Sequence, residues 1–299
     1  MRGLIVVSPP FFFPKLQVDR FPILFNMVGD KFGFEIRTVE DLRFPLDVDV
    51  VISYGNLDKR LLSLKPGIKF IVCQVDLHPH RGVNEKLRLR MFDRADIVLT
   101  PNDEAFRKWF PQFINKHIFF PRFFAPYDRF ASFRFNEDPK LKCLLSGARK
   151  NRIYPLRHLV YKERDKSRID CLEKVRGFKK RKTSPWEYIG KGYAELLNSY
   201  FCCVTCSSVY HYVVGKYLEI PAVGSLLLAD ECKDSKKMGF VPYKHYIPIT
   251  QKTVFQKIHE CLDSPEEYVK IRWEGMEFVR KHHSVNNRFE QISRILEKL

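Results

Sequence analysis

Residues 215–230, GKYLEIPAVGSLLLAD, constrain the fold more than any other stretch of the chain. The run up to Val223 predicts a helix from about Gly215, and Gly224 suits the left-handed turn that ends many helices. Ser225–Ala229 then forms an unbroken apolar run that stops on an acid, Asp230. A strand apolar on both faces belongs inside a parallel sheet covered on both sides. Glu219 is the single carboxylate within the apolar helical segment Tyr217–Val223. A charge there needs a partner, and its two oxygens suit the adjacent hydroxyls of a ribose. The backbone of residues 213–216, with Gly215 and Lys216 at the helix start, offers N–H groups and a positive helix end to a diphosphate.

The remainder of the chain repeats this rhythm. Apolar runs at Leu4–Val7, Phe34–Thr38, Asp49–Ser53, Lys69–Val75, Asp96–Thr100 and His117–Phe120 alternate with helix-forming stretches. Alternation of this kind predicts a doubly wound parallel sheet. The polar segment Phe135–Lys140 reads as a connector, and a second series follows: Leu141–Ser146, Ile169–Leu172, Tyr200–Thr205 and Ser225–Ala229. The tail is helical, with Val254, Ile258, Cys261 and Leu262 on one face and Phe289, Ile292, Leu296 and Leu299 on another. The predicted organisation is two Rossmann-like α/β domains, 1–137 and 138–299, and a helical tail. The length of 299 residues allows it.

KYLEIPAVGSLLLAD resembles the nucleotide-sugar signature of GT-B glycosyltransferases, of the group-1/group-4 type and the CgeB-like branch. In that pattern a basic residue, an aromatic or Leu, and a Glu lead through a glycine into a buried strand. The resemblance implies two facing Rossmann-like domains around a central cleft, with the last helix packing back on the first. It implies transfer of a hexose or pentose from a UDP-, GDP- or other nucleotide-diphosphate sugar, without a metal or other cofactor. Glu219 matches the ribose-holding glutamate. Eight positions earlier, where many relatives have a second glutamate, this chain has His211, beside Tyr210; both are expected near the donor. That departure leans towards inversion, with a base from the first domain.

Other constellations are weighed on their chemistry. Ser146–Arg157 (SGARKNRIYPLR) follows a predicted strand, and its glycine permits close approach of a ligand to the backbone. Arg149, then Arg152 and Lys150, are expected to meet the charge that builds on a diphosphate leaving group. CgeB-like relatives show a similar glycine, basic residue and Tyr-Pro-Leu-Arg order. In Asp76–Gly82 (DLHPHRG), His78 and Asp76 are the candidates to deprotonate or orient an acceptor hydroxyl, ahead of His80. The loop Ser8–Pro14 (SPPFFFP), with Ser8 and Phe11, is expected to touch the acceptor. Cys203-x-x-Cys206 beside Cys202 reads as buried free thiols rather than a metal site. The triplet Asp47-Val48-Asp49 precedes its strand, so it lies at the wrong end of a parallel sheet to bind a ligand.

The chain carries 52 Lys and Arg against 35 Asp and Glu, a net charge of +17. Such a surface attracts polyanions or an anionic membrane, and the run Lys179–Lys182 adds to it. The expected partners are a nucleotide sugar and a glycan or glycolipid acceptor, with membrane contact as a further option and no nucleic acid. No stacking motif supports a nucleic-acid reading. A nucleic-acid-binding protein, a DNA-modifying transferase and an epimerase of GT-B shape are the alternatives. No apolar run reaches the roughly 20 residues of a membrane span, and the start lacks a secretory pattern. Eight cysteines without a small secreted framework suggest reduced thiols, hence a cytoplasmic setting.

Overall fold

Strand β1, Gly3–Val7 (GLIVV), is buried along its whole length and lies inside the first sheet, between two parallel neighbours. A computed structural model of the chain describes residues 1–7, 20–55, 58–78, 84–123, 133–172 and 191–299. The expectations for Ser8, Phe11, His80 and Lys179–Lys182 fall outside these residues.

Contacts divide the described chain into two compact units. The first runs to Pro121 and takes back Val285–Leu299; the second is Arg122–Ser284. In the first, β1 pairs in parallel with β2 (Glu35–Thr38) and β3 (Val50–Tyr54), with Ile5 opposite both Ile36 and Ile52. The sheet continues through β4 (Lys69–Cys73), β5 (Ile97–Thr100) and β6 (His117–Phe119), giving the order β2-β1-β3-β4-β5-β6. Helices α1 (Arg20–Phe32), α2 (Glu85–Arg94) and α3 (Asp103–Trp109) belong to this unit. An aromatic cluster of Phe92, Phe106 and Phe110 packs α2 against α3. Asn102 precedes α3 without making a side-chain cap bond; its amide donates to the carbonyl of Val75 at 2.5 Å.

The second sheet has β7 (Lys140–Leu145), β8 (Ile169–Cys171), β9 (Tyr200–Val204), β10 (Leu226–Ala229) and a short β11 (Ile247–Pro248). All its pairs are parallel, in the order β11-β10-β9-β7-β8. Alternate residues serve opposite faces. Cys143, Leu145, Cys202, Val204, Leu226 and Leu228 join a core with Val160 of α4 (Pro155–Glu163) and with Val254 and Ile258 of α8 (Val254–Asp263). The intervening positions, such as Leu144, Cys203 and Leu227, are buried as well, which accounts for the unbroken apolar strands. The unit's other helices are α5 (Lys191–Asn198), α6 (Lys216–Ala222), α7 (Lys233–Lys237) and α9 (Val269–His282). α9 lies along α6, and its Arg272 and Arg280 donate to the carbonyls of Gly224 and Ala222.

The connector segment is tied into the second unit. Arg272 also donates to the Asn136 carbonyl, its guanidinium lies over the Phe135 ring, and Asn136 donates to the Asn198 carbonyl. Backbone and side chains of the segment both bind it to this unit, so the stretch is packed as well as polar. The last helix, α10 (Val285–Leu296), packs on α1 within the first unit, with a Lys31–Glu297 ion pair at 2.7 Å.

Candidate active site

Gly147 follows the end of β7 after one residue, Ser146, and has φ +96, a backbone few other residues adopt. It is also closely overlaid. A Cβ added there meets Lys216 Cε at 2.8 Å and Arg157 Nη1 at 3.2 Å. Glycine therefore lets two cationic side chains converge on the C-terminal end of a central strand, where open α/β sheets bind ligands.

Arg157 comes from the first turn of α4 and is 3% exposed. Its Nη2 donates to Thr205 Oγ1 and to the Cys206 carbonyl, both at 2.9 Å, and it lies over the Tyr154 ring. Those acceptors are neutral. Its buried Nε has no hydrogen-bond partner among the described residues. Lys216, from the first turn of α6, is also buried; it donates to the Tyr193 hydroxyl at 2.9 Å and faces Glu219 Oε2 at 3.9 Å. Tyr193, brought in by α5, is in hydrogen-bond contact with Ser146 Oγ at 3.0 Å. Burial, then the charge of Glu219, pushes its phenol well above the ordinary value, so it stays protonated. Among the described residues the notch sets two cations against one carboxylate in a poorly hydrated place, which favours an anion.

The sequence candidates divide on this geometry. Lys216 and Glu219 come together, with Glu219 buried beneath the lysine. Gly215 forms the N-cap of α6, whose N–H groups at 217 and 218 already bond the carbonyls of Val214 and Gly215. With seven residues and Pro221 inside, α6 is a weaker dipole than expected. Arg149 does not join the notch. After the turn at Gly147 its guanidinium lies over the Tyr161 ring at 3.7 Å, and Lys150 and Arg152 are exposed. The inner position belongs to Arg157, which the sequence reading passed over. The signal was present: Arg157 stands three residues before Val160 on a helix whose buried stripe includes Leu156 and Val160, an unusual place for a charge.

His211 and Tyr210 sit in the loop after β9. The His211 N–H donates to the Ser208 carbonyl at 2.8 Å, and the residue has φ +57. Asp76 and His78 follow β4 in the first unit, Asp76 exposed and His78 half-buried. Their loop is pinned by Gln74 Nε2, which donates to the Asp76 carbonyl, and by Arg88, which donates to that of Leu77. Gln74 Oε1 and Asn102 Oδ1, both buried nearby in the chain path, lack hydrogen-bond partners among the described residues. Asp47 and Asp49 are engaged by Arg2 at the start of β3, away from the strands' C-terminal ends. Cys203 and Cys206 are buried, which pushes their thiols up to about 12 and about 11. Among the described residues no group of His, Cys, Asp and Glu is placed to hold a metal ion.

Residues 160–294 match the family described as glycosyl transferase-like. Sucrose-phosphate synthase from Thermosynechococcus elongatus superposes with a TM-score of 0.68 at 12% identity, over 100% of this chain and 99% of that one. Anabaena HepE, solved with UDP, gives 0.62 at 9% identity over 100% of both chains. This is the GT-B fold. An alpha-glucosyltransferase solved with UDP and a 13-mer DNA shares this GT-B architecture at 0.61 and 13% identity, over 99% of both chains. No curated protein matches the sequence. The GT-B chain thus has structural neighbours in which one partner is DNA, the class that the sequence reading set aside. Among its described residues, no helix is long and apolar enough to cross a membrane.

Proposed function

We propose that the GT-B chain moves a sugar from a nucleotide-diphosphate sugar to a hydroxyl of a glycan or glycolipid. The observation that carries this reading is the convergence of buried Arg157 and Lys216 on Gly147. As the glycosidic bond breaks, the diphosphate gains negative charge. Fixed cations aimed at it, in a site that excludes water, stabilise that charge more than the starting state. Arg157 adds a buried N–H in need of an acceptor, and phosphate oxygens supply one. Glu219 positions Lys216 and takes the ribose hydroxyls, while the Tyr193 hydroxyl, itself in contact with Ser146, holds the lysine head. The positive charge comes from the chain itself, so turnover is expected to survive chelation of divalent ions. On the acceptor side, His78 takes the proton of the attacking hydroxyl and Asp76 orients it. UDP leads among donor nucleotides, since structural neighbours are solved with UDP.

The test is a thermal-shift screen of UDP-, GDP-, dTDP- and CMP-sugars on wild type, Arg157→Lys and Glu219→Gln. One nucleotide is expected to stabilise the wild type, by about 2.7 kcal/mol at 100 times its Kd. Both variants are expected to need at least tenfold more ligand. Equal responses from all three proteins would reject the site.

A second reading is favoured by charge alone. Residues 122–182 hold 19 basic and seven acidic residues, most of the net +17. A nucleic-acid acceptor accounts for that bias, and transfer to a DNA substrate in place of a glycan would establish it.

A further inference from the structure

The second unit holds a cavity of about 750 Å³ whose lining includes His211 but not Arg157, Lys216 or Glu219. It opens at the C-terminal ends of β9, β10 and β11, and its volume lies within the ~300–1,000 Å³ of ligand pockets. Two residues on its wall are unusual. His211 (φ +57) and Tyr243 (φ +58) are the non-glycine residues with positive φ among those described, and both line this cavity. Such backbone is costly for a residue with a side chain and collects at ligand sites. Tyr243 leaves 57% of its surface exposed, an aromatic ring presented rather than packed.

The lining has the two-sided chemistry of a sugar ring. Leu156, Val209 and Ile249 offer apolar surface to C–H faces, while Ser208, Gln251 and Thr253 offer neutral hydrogen-bonding groups to hydroxyl edges. Its charges disfavour an anion. Asp230 and Glu231 lie on the wall; the charge of Lys257 is met by Glu260 at 2.7 Å and that of Glu231 by Lys236 at 2.8 Å, so Asp230 sets the sign of the wall. Asp230 is held rigid: it accepts from the Ser207 N–H at 2.6 Å and from the Tyr217 hydroxyl at 2.8 Å. Close by, the hydroxyl of Tyr246, a residue 1% exposed, lacks a hydrogen-bond partner among the described residues. Burial and the charge of Glu231 keep it protonated, a donor beside those carboxylates.

The geometry points to a subsite for a neutral saccharide of the acceptor, bound between the Tyr243 ring and the Asp230–Glu231 wall. It rests on the transferase reading and names the acceptor as an uncharged glycan rather than a polyanion.

The test is saturation-transfer NMR on the full chain without nucleotide, using neutral di- and trisaccharides and their sulfated counterparts. At least one neutral saccharide is expected to bind. Tyr243→Ala and Val209→Trp, the second filling the mouth, are each expected to weaken it at least tenfold. Far-ultraviolet circular dichroism checks folding, and the response to the stabilising nucleotide sugar is expected to change less than twofold. Saccharide signals unchanged in both variants overturn the subsite. So does preference for the sulfated series, or absence of any neutral binder. If both variants instead abolish the nucleotide-sugar response, the cavity takes the donor's own sugar and the acceptor assignment falls. If the wild type binds neutral saccharide and no nucleotide sugar, the saccharide cavity stands and the transferase reading falls.

Discussion

At Gly147 a single methyl group is enough to test the notch. The Cβ of an alanine would meet Lys216 Cε at 2.8 Å, on a backbone at φ +96 that side chains disfavour. Lys216 must then swing out, and Tyr193 and Glu219 lose its head group. Gly147→Ala is expected to weaken nucleotide-sugar binding at least tenfold by calorimetry. It also costs about 1–3 kcal/mol of stability, as overpacking does. Retained affinity would mean that the lysine does not touch the ligand. A different residue sets the acid limit. Burial works against the Asp170 carboxylate, but hydrogen bonds from Lys140, Tyr200 and Lys142 outweigh it and hold the group down to about 2. A depressed carboxylate contributes stability above its unfolded value of 3.8, and that contribution fades as pH falls towards 2. Asp170→Asn is therefore expected to be less stable than wild type at pH 6. The gap, read from urea midpoints, should close between about pH 4 and pH 2. A gap independent of pH would assign the loss to packing.

Among the elements, α10 is the clearest case of chain order failing to follow space. It is last in sequence yet packs on α1 in the first unit, burying Val285, Ile292 and Leu296. Burial of each such side chain is worth about 1.5–3 kcal/mol. Removal of residues 285–299 is expected to lower the first unit's melting transition by well over 5 °C and to expose α1 to protease; an unchanged melt would show the helix to be dispensable. The strands were the most legible part of the sequence, because sheets buried on both faces write themselves as apolar runs. All ten expected strands exist, ending within two residues of their predicted limits, as Leu226–Ala229 does. What the pattern hid was β11, whose two residues carry no periodicity, and α2, whose charged sequence EKLRLRMFDR buries Arg88 along with Met91 and Phe92. In the site, Lys216 and Glu219 both stood out in the sequence, one at a helix start and one as a lone carboxylate, and the structure brings their side chains to 3.9 Å. Arg157 was not favoured over Arg149, because three arginines in one stretch look alike until the turn at Gly147 decides which faces the sheet.

Over the whole molecule, charge and site chemistry can be separated by salt. The net +17 is concentrated between residues 122 and 182, and it attracts any polyanion without needing a shaped site. Affinity of that kind comes from counterion release and falls steeply, often by ~10³–10⁵ between ~50 and ~200 mM salt. Binding at the notch has a different origin: Arg157 and Lys216 are buried, where screening by salt is weak. Titrations with a random DNA duplex and with the stabilising nucleotide sugar, run at both salt concentrations, should therefore diverge. DNA binding is expected to collapse, while nucleotide-sugar affinity changes less than about threefold. DNA held tightly at the higher salt would mean that base or shape contacts add to the charge. The acceptor would then be sought among nucleic acids, with Arg157 and Lys216 keeping their role towards the donor.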